Sequence, residues 1–415
     1  MTIDRTGPIE SLVTWTLNKR VLVLTFLTMH VDAVPDISNI QVTVTTNAKG
    51  FAPTEVEQYI TYPIELALQS VPRLHQQRSI SKYALSQITA VFDDGTDIYW
   101  ARQQVSERLK GAQEQMPQGA DVKIALGPIA TGLGEIFQFE VKGPGFSLLQ
   151  LRDILDWQVI PALKTVPGID EVQSMGGEAK EYQVCFIPER LHGYKITPVD
   201  VMTALSKSNA NAGGGYIVES SDQELIRAES MLRTVSDIEN VVVRRDPLGV
   251  LRIKDIARVK IGYRLPQSIV TSNGRGQAVI GVVIMRKGEN SREVVELVRE
   301  KLRQVQKTLT PNIELKPFYD RGELIDRTVE TVKENLLHGA VLVLLVLLVL
   351  LGSIRGGLIA ALAIPLALAG SLLFLKLGSI SGNLLSLGAI DFGILIDGSV
   401  VMVENVLRRL SHPHK

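Results

Sequence analysis

The sequence predicts an α+β region of two ferredoxin-like split βαβ units with an inserted module, joined to an all-α bundle of transmembrane helices. Three observations predict this architecture. A β-α-β-β-α-β order of periodic segments occurs in residues 31–130 and again, interrupted, in residues 131–187 and 263–320. Residues 188–262 form the interruption. Residues 321–415 contain three long apolar stretches, each of the length that a bilayer requires.

Composition excludes several classes of protein. The chain has 415 residues, of which 45% are hydrophobic, and 44 Lys+Arg balance 44 Asp+Glu. This much hydrophobicity with no net charge excludes a disordered chain, and the absence of a basic excess argues against nucleic acid as a partner. Cys185 is the only cysteine and has no internal disulfide partner.

The first split unit is predicted from periodicity and from helix boundary residues. Asn39–Thr46 alternates apolar and polar residues, as a half-buried strand does. Ala52–Val71 is predicted to be a helix that begins at Pro53-Thr54 and ends before Pro72. The other predicted elements are strands at Gln77–Lys82 and Gln87–Phe92, a helix at Thr96–Met116 and a strand at Val122–Ala125.

The second split unit follows the same order. Its predicted elements are a strand at Ile136–Lys142, a helix at Leu148–Thr165, strands at Ile169–Met175, Tyr182–Ile187 and Ala278–Arg286, a helix at Ser291–Thr308 and a strand at Ile313–Tyr319. The module at 188–262 is predicted to hold a helix at Pro198–Ser208, a loop at Asn211–Gly215 and short strands.

The loop contains three consecutive glycines, Gly213, Gly214 and Gly215. Such a run can cradle a phosphate, but the Lys-Ser/Thr of a phosphate-binding loop does not follow it. A turn that allows another backbone to approach closely is the favoured interpretation.

The apolar stretches predict three membrane spans. Asn335–Ile354 and Gly356–Leu375 each run for 20 residues without a formal charge, and a third apolar stretch runs from Leu384 to Leu407. About 20 apolar helical residues cross a bilayer core. The alternative, buried helices of a soluble domain, would show a polar stripe, which the first two stretches lack.

The basic residues beside these stretches predict their orientation. Arg355, Arg408 and Arg409 fall on one side, which the positive-inside tendency makes cytoplasmic. The large region before residue 335 then lies outside. Residues 1–30 are predicted to be an N-terminal segment with a shortened first span, because the apolar run Val21–Met29 rises only about 14 Å as a helix. A signal peptide is the weaker alternative.

Three acids occur inside the third apolar stretch, at Asp391, Asp397 and Glu404. Inserting one acid at the bilayer centre costs roughly 2.5–3.5 kcal/mol, so such residues favour a functional role, here a proton relay. Asp397 and Glu404 share a helix face because they are seven residues apart. The alternatives are acids paired with basic groups for assembly only, and an intramembrane aspartyl protease that uses Asp391 and Asp397.

At these residues the sequence resembles the heavy-metal-efflux branch of the resistance–nodulation–division permeases, which includes cobalt–zinc–cadmium and copper–silver pumps. The matching stretches lie along nearly the whole chain. They are Asp32–Asn39 (DAVPDISN), Gly50–Glu57 (GFAPTEVE), Asp94–Tyr99 (DGTDIY), Leu126–Ile136 (LGPIATGLGEI), Asn211–Ile217 (NAGGGYI) and Leu387–Asn405 (LGAIDFGILIDGSVVMVEN).

The resemblance implies roles for these parts. The split units would be porter subdomains in the periplasm, and the inserted module would dock through Asn211, Gly213, Gly214 and Gly215 onto neighbouring subunits of a homotrimer. Asp391, Asp397 and Glu404 would be the proton-relay acids. A periplasmic adaptor and an outer-membrane channel would be partners.

The resemblance also implies a longer protein. Members of that branch continue past the fourth span, so the chain is expected to be a truncated N-terminal part. The metal-binding residues and the metal itself stay unidentified, because the methionines and histidines show no ligand spacing.

The predicted function is proton-driven antiport of heavy-metal cations, by the inner-membrane permease of a tripartite system. That is the activity of a secondary transporter and not of an enzyme, and no cofactor is predicted. The alternative is a non-transporting remnant or interaction module that at most associates with a full-length permease.

Overall fold

The computed structural model describes residues 37–117, 122–219, 222–228, 230–246, 249–266 and 269–327, with single helical positions between 330 and 409. The predicted first span and the acids of the third apolar stretch lie outside the described residues, as does almost all of the predicted bundle. Within the described part of the chain, no helix is both long enough and apolar enough to cross a membrane.

The first split unit has the predicted β-α-β-β-α-β order. Its elements are β1 (Ile40–Ala48), the helix α1 formed by Pro53–Val56, Glu57–Thr61 and Tyr62–Leu68, β2 (Leu74–Lys82), β3 (Leu85–Phe92), α2 (Ile98–Glu114) and β4 (Val122–Leu126). The four strands form one antiparallel sheet in the order β2-β3-β1-β4. This is the ferredoxin-like arrangement that the sequence predicts.

Side-chain periodicity explains how these elements pack. Val42 and Val44 point to the buried face of β1, as alternation along a strand requires. Asp97 begins α2 by accepting a hydrogen bond from the amide of Trp100 at 2.7 Å, which satisfies an end-of-helix donor. Val105 and Leu109 then lie on the buried face of α2, four residues apart.

The second split unit repeats this arrangement. Its elements are β5 (Glu135–Lys142), the helix α3 formed by Leu148–Ile154, Leu155–Val159 and Ile160–Leu163, β6 (Ile169–Gly176), β13 (Val279–Met285), a helix at Ser291–Thr308 that we call α8, and β14 (Glu314–Asp320). The sheet order is β14-β5-β13-β6. Read from the β6 edge, with the strands numbered within the unit, this is the same spatial order as in the first unit: second, third, first, fourth. Both predicted units are therefore present.

The strand predicted at Tyr182–Ile187 does not belong to this sheet, contrary to the prediction. It is β7 (Lys180–Phe186), and it pairs with β12 (Ala257–Tyr263) as a separate ribbon. The chain leaves the sheet at Gly176 and Gly177, which both have positive φ, +71° and +67°. Glycine adopts this conformation without steric cost. The interruption of the second unit thus starts at these glycines and not at residue 188.

The inserted module has its own hydrophobic core. Its elements are β7, α4 (Pro188–Tyr194), α5 (Pro198–Ser208), β8 (Ala212–Glu219), β9 (Asp222–Ala228), α6 (Val235–Glu239), β10 (Val242–Asp246), β11 (Gly249–Arg252), α7 (Ile253–Ile256) and β12. Val201, Ile253 and Ile256 are fully buried at its centre. A separate core is what allows an insertion to fold without disturbing its host.

The predicted loop at Asn211–Gly215 is also corrected. Gly213, Gly214 and Gly215 lie in strand β8, which pairs with β9 as a hairpin. Glycine is depleted in strands, so the sequence favoured a loop, but backbone pairing with β9 overrides that preference. A Cβ atom placed at Gly213 or Gly215 would have no described heavy atom within 4 Å. Within the described part of the chain, a side chain at Gly213 or at Gly215 would therefore meet no neighbouring atom.

The first helix of each split unit contains a π-helical turn, at Glu57–Thr61 in α1 and at Leu155–Val159 in α3. A proline follows each turn, Pro63 and Pro161. Proline has no amide hydrogen and disrupts the regular hydrogen-bond pattern of a helix. In each helix the amide of the residue before the proline donates a hydrogen bond to the carbonyl five residues earlier. These bonds run from Tyr62 to Glu57 and from Ile160 to Leu155.

Candidate functional site

The β8–β9 hairpin exposes apolar side chains on both faces. Tyr216, Ile217 and Val218 are consecutive on β8 and all are exposed, and Leu225 on β9 is 72% exposed. Successive residues of a strand point to opposite faces, so neither face of this part of the hairpin is covered within the described chain. Apolar surface presented in this way marks a contact site for another molecule.

Two asparagines fasten the base of the hairpin. The Asn211 Oδ1 atom accepts a hydrogen bond from the amide of Ser230 at 3.1 Å. Two residues earlier, Asn209 Oδ1 accepts one from the amide of Leu232 at 3.0 Å. Because the two side chains hold the chain that enters β8 against the chain that leaves β9, the hairpin projects from a fixed root.

Sequence reasoning named Asn211 but missed Asn209. The spacing of two residues, which places both side chains on the same side of an extended chain, is the signal that could have found it.

The glycines set the direction of the hairpin. The pairing of β8 with β9 shifts register between Gly213 and Gly215, which leaves an extra residue on β8. Gly215 has φ +87°, in the left-handed region. A bulge of this kind bends and twists a strand. The run of glycines therefore changes the direction of the exposed apolar part of the hairpin relative to its base.

A capping box follows the hairpin and holds α6. Asp237 accepts hydrogen bonds from the amides of Arg233 at 3.0 Å and Thr234 at 2.9 Å. The hydrogen bond from the amide of Arg233 makes the largest contribution to lowering the pKa of Asp237 below its usual value, and the hydrogen bonds from Thr234 contribute less. The carboxylate therefore stays ionised at neutral pH and the box stays intact.

Replacing Gly215 by valine is expected to loosen the hairpin. A β-branched side chain at positive φ costs about 1–2 kcal/mol, and the cost falls on a two-stranded hairpin that has little stability of its own. Hydrogen exchange of the amides in 212–228, followed by mass spectrometry, should become faster.

Gly213→Val is the matched control for this change. Gly213 does not have positive φ and has open space around it, so its substitution should leave exchange nearly unchanged. Equal exchange rates in the two variants would show that the Gly215 conformation does not matter.

The three acids predicted as a proton relay, Asp391, Asp397 and Glu404, lie outside the described residues. Among the described residues, no three His, Cys, Asp or Glu side chains come together as a metal site.

The segment Leu126–Ile136, singled out above as a matching motif, connects the two split units.

Comparison with known families identifies the chain over nearly its whole length. Residues 19–415 match the sequence model described as the AcrB/AcrD/AcrF family. The chain belongs to the AcrB/AcrD/AcrF family. The resemblance that the sequence motifs indicate, to heavy-metal efflux permeases, is confirmed by relatives within this family.

Two of these relatives carry cation-efflux names. The chain is 45% identical over 393 residues to the cobalt-zinc-cadmium resistance protein CzcA of Cupriavidus metallidurans, which covers 92% of this chain and 37% of the relative. It is 37% identical over 398 residues to the cation efflux system protein CusA of Escherichia coli K12, which covers 94% of this chain and 38% of that protein.

The fold is also similar to that of solved structures. Two crystal forms of a heavy metal efflux pump superpose with TM-scores of 0.84 and 0.86 at 35% sequence identity. The superpositions cover 96% and 97% of this chain and 41% of each pump chain. The chain therefore spans about two-fifths of the family members it matches, and its α+β region corresponds to part of such a pump.

Proposed function

We propose that this chain forms part of a proton-driven permease that exports heavy-metal cations across the cell envelope. Three acids in one apolar stretch, Asp391, Asp397 and Glu404, carry this proposal. Acids at membrane depth are expensive unless they do work, and a proton relay is such work. The similarity to proteins named for cobalt, zinc, cadmium and cation efflux supports heavy-metal cations as the substrate class.

The same proposal places the protein in the cytoplasmic (inner) membrane as a multi-pass protein, with the two split units and the inserted module in the periplasm. Its activity is that of a cation/proton antiporter and not of an enzyme. The exposed apolar hairpin, fastened by Asn211 and bent at Gly213–Gly215, supports docking onto a neighbouring copy in a homotrimer. An adaptor protein and an outer-membrane channel would complete the export route.

A chimera tests this proposal. The part of the Cupriavidus metallidurans relative that matches this chain is replaced by the corresponding residues of this chain and expressed, with its partner proteins, in a metal-sensitive strain without its own exporter. The 45% identity over 393 residues supports a compatible fold. Growth on zinc, cobalt or cadmium well above that of cells with an empty vector is expected.

A chimera that is present in the membrane at the level of the natural relative, yet confers no resistance, would contradict the transport proposal. That result would favour the alternative, an interaction module. An interaction module should co-purify with a full-length relative through its hairpin, so Gly215→Val should weaken the co-purification while Gly213→Val should not; a remnant that at most associates need not co-purify.

A further inference from the structure

The segment 127–134, which we call the linker, joins the first split unit to the second. Its beginning is fastened to the first unit. The amide of Gly127 donates a hydrogen bond to the carbonyl of Thr43 in β1 at 2.7 Å. The carbonyl of Gly127 accepts one from the guanidinium of Arg102 in α2 at 2.6 Å. A strand and a helix of the first unit thus hold the same peptide.

Two residues later, the linker is fastened to the second unit. The amide of Ile129 donates a hydrogen bond to Asp170 Oδ2 in β6 at 2.6 Å, and its carbonyl accepts one from the amide of Lys287 at 2.9 Å. Asp170 is largely buried, with 15% of its side chain exposed. The linker therefore changes from contacts with the first unit to contacts with the second unit within three residues, 127–129.

Lys287 has a second contact, which reaches the start of the α+β region. Its Nζ atom donates to the carbonyl of Ser38 at 2.7 Å and lies 3.4 Å from that of Asn39. These two residues lie just before β1. They are the point at which the chain arrives from the N-terminal segment that the sequence predicts to hold a membrane span. One lysine thus contacts both the linker and the N-terminal approach.

The segment by which the chain leaves this region also contacts the linker. Residues 321–327 form a helix directly after β14, on the way to the next predicted span. Arg321, at the first position of that helix, is 4% exposed and donates to the carbonyl of Leu133 in the linker.

The neighbouring Asp320 fixes the same helix end. Its Oδ1 atom accepts from the amide of Gly322 at 2.8 Å, and its Oδ2 atom accepts from the guanidinium of Arg299 in α8 at 2.6 Å. That contact raises the pKa of Arg299 above its usual value.

We infer that the linker is a coupling point in transport, at which both chain connections to the predicted membrane spans are tied to both split units. Lys287 and Arg321 are its positioning residues. This inference rests on the proposed function, because only a transporter needs displacements in its membrane helices to reach its outer domain. A shift of either connection displaces the linker and, through it, the sheets of both units.

The geometry favours this over simple packing. Three of the contacts are charged side chains, of Arg102, Lys287 and Arg321, bonded to backbone carbonyls, and hydrogen bonds from charged donors are stronger than those between neutral groups. The eight linker residues also exchange hydrogen bonds with separate parts of the chain: β1 and α2 of the first unit, β6 and Lys287 of the second unit, and the helix at 321–327.

Lys287→Met is the decisive variant, because it removes the ammonium group and keeps the length of the side chain. The purified chain in detergent is followed by hydrogen exchange with mass spectrometry. We expect about tenfold faster exchange of amides in 37–40, where one charge-assisted hydrogen bond is lost, and a smaller increase in 127–134, which Lys287 contacts through its backbone amide. Exchange in β5 and β13, in the core of the second unit, should be unchanged.

Two controls accompany it. Lys307→Met removes an exposed lysine from α8 and should leave exchange of the linker as it was. Lys287→Arg keeps a donor at the same place and should restore slow exchange. Unchanged exchange in Lys287→Met would overturn the inference, whatever the outcome of the transport assay.

The transport arm uses the chimera described above. Lys287→Met should lower metal resistance at least severalfold while the protein level is maintained, and Lys287→Arg should restore it. Faster exchange with full resistance would overturn the coupling role. A chimera without any resistance contradicts the proposed function, and the exchange experiment still decides whether the linker is held as inferred.

Discussion

Cells that express the chimera with Asp397→Asn are expected to be as metal-sensitive as cells with an empty vector. Asparagine has the size and polarity of aspartate but cannot take up and release a proton. Each proton that crosses the membrane gains roughly 2.3 kcal/mol per 100 mV of potential, and the variant can no longer use this energy. Growth in graded metal concentrations measures the effect.

In the proposed relay, the position of Asp397 in the apolar stretch makes it the acid whose loss should have the largest effect. It lies seven residues before Glu404 and six after Asp391, so on a helix it shares a face with Glu404 and is turned by about 120° from Asp391. In the proposed relay, a proton that passes along the stretch from Asp391 to Glu404 would pass by way of Asp397, the middle acid of the three.

Two further variants separate proton transfer from insertion into the membrane. Asp397→Glu keeps the carboxyl group and should keep part of the resistance. Ser399→Ala, two residues away, changes the same stretch without touching an acid and should keep nearly all of it. Full resistance in Asp397→Asn would exclude this residue from the relay.

Gly281→Ala is expected to destabilise the second split unit by about 1–3 kcal/mol, the usual cost of overpacking a core. Gly281 in β13 lies directly opposite Phe139 in β5, and the ring of Phe139 covers it. An added Cβ atom would lie 2.7 Å from Cε1 of that ring and in contact with Cζ. Phe139 is fully buried, and in a close-packed core its ring can move only by displacing its neighbours.

The free energy of unfolding of a fragment spanning residues 37–327, which contains the three hydrophobic clusters, measures this effect in denaturant. Gly111→Ala is the matched control. Gly111 lies in α2 with open space around it, so alanine there should stabilise the fragment by about 0.5–1 kcal/mol.

A double variant tests the cause. Phe139→Leu shortens the side chain that covers the glycine, so adding Gly281→Ala to it should cost clearly less than in the natural background. Equal costs in both backgrounds would show that the ring is not the obstacle.

The order of elements was predictable because it is a local property. Alternation in Asn39–Thr46 and the helix boundary at Pro53 lie within a few residues of the features they predict. The pairing of β7 was not predictable, because its partner strand β12 lies more than 70 residues away. The same alternating pattern would also suit a strand in the sheet of the second split unit. The break at Gly176 and Gly177 was visible in the sequence, but glycine pairs also occur in ordinary turns.

In the candidate site, too, some features could be predicted from the local sequence and others depend on distant partners. The glycines of the hairpin stand out as a run, although their strand conformation depends on pairing with β9. Lys287 and Arg321 could not be found from the sequence, since each bonds to a backbone carbonyl far along the chain. Every residue offers such a carbonyl, so the sequence carries no mark of the partner.

The π-helical turns have a consequence for the angular position of side chains. In α1 and in α3 the buried residues recur at intervals of four: Val56, Ile60, Ile64 and Leu68, and Leu151, Leu155, Val159 and Leu163. On a regular helix each interval of four advances by about 40°, so the last member of each set would lie about 120° from the first. One extra residue absorbed in a turn sets the later positions back by about 100° and keeps all four towards the sheet.

If the turn in α1 became regular α-helix without losing a residue, Ile64 and Leu68 would rotate by about 100° away from the core. Deleting one residue of the turn, for example Gln58, should instead let a regular helix form with both side chains still towards the sheet. At these two places the helix accommodates one residue more than its buried face requires.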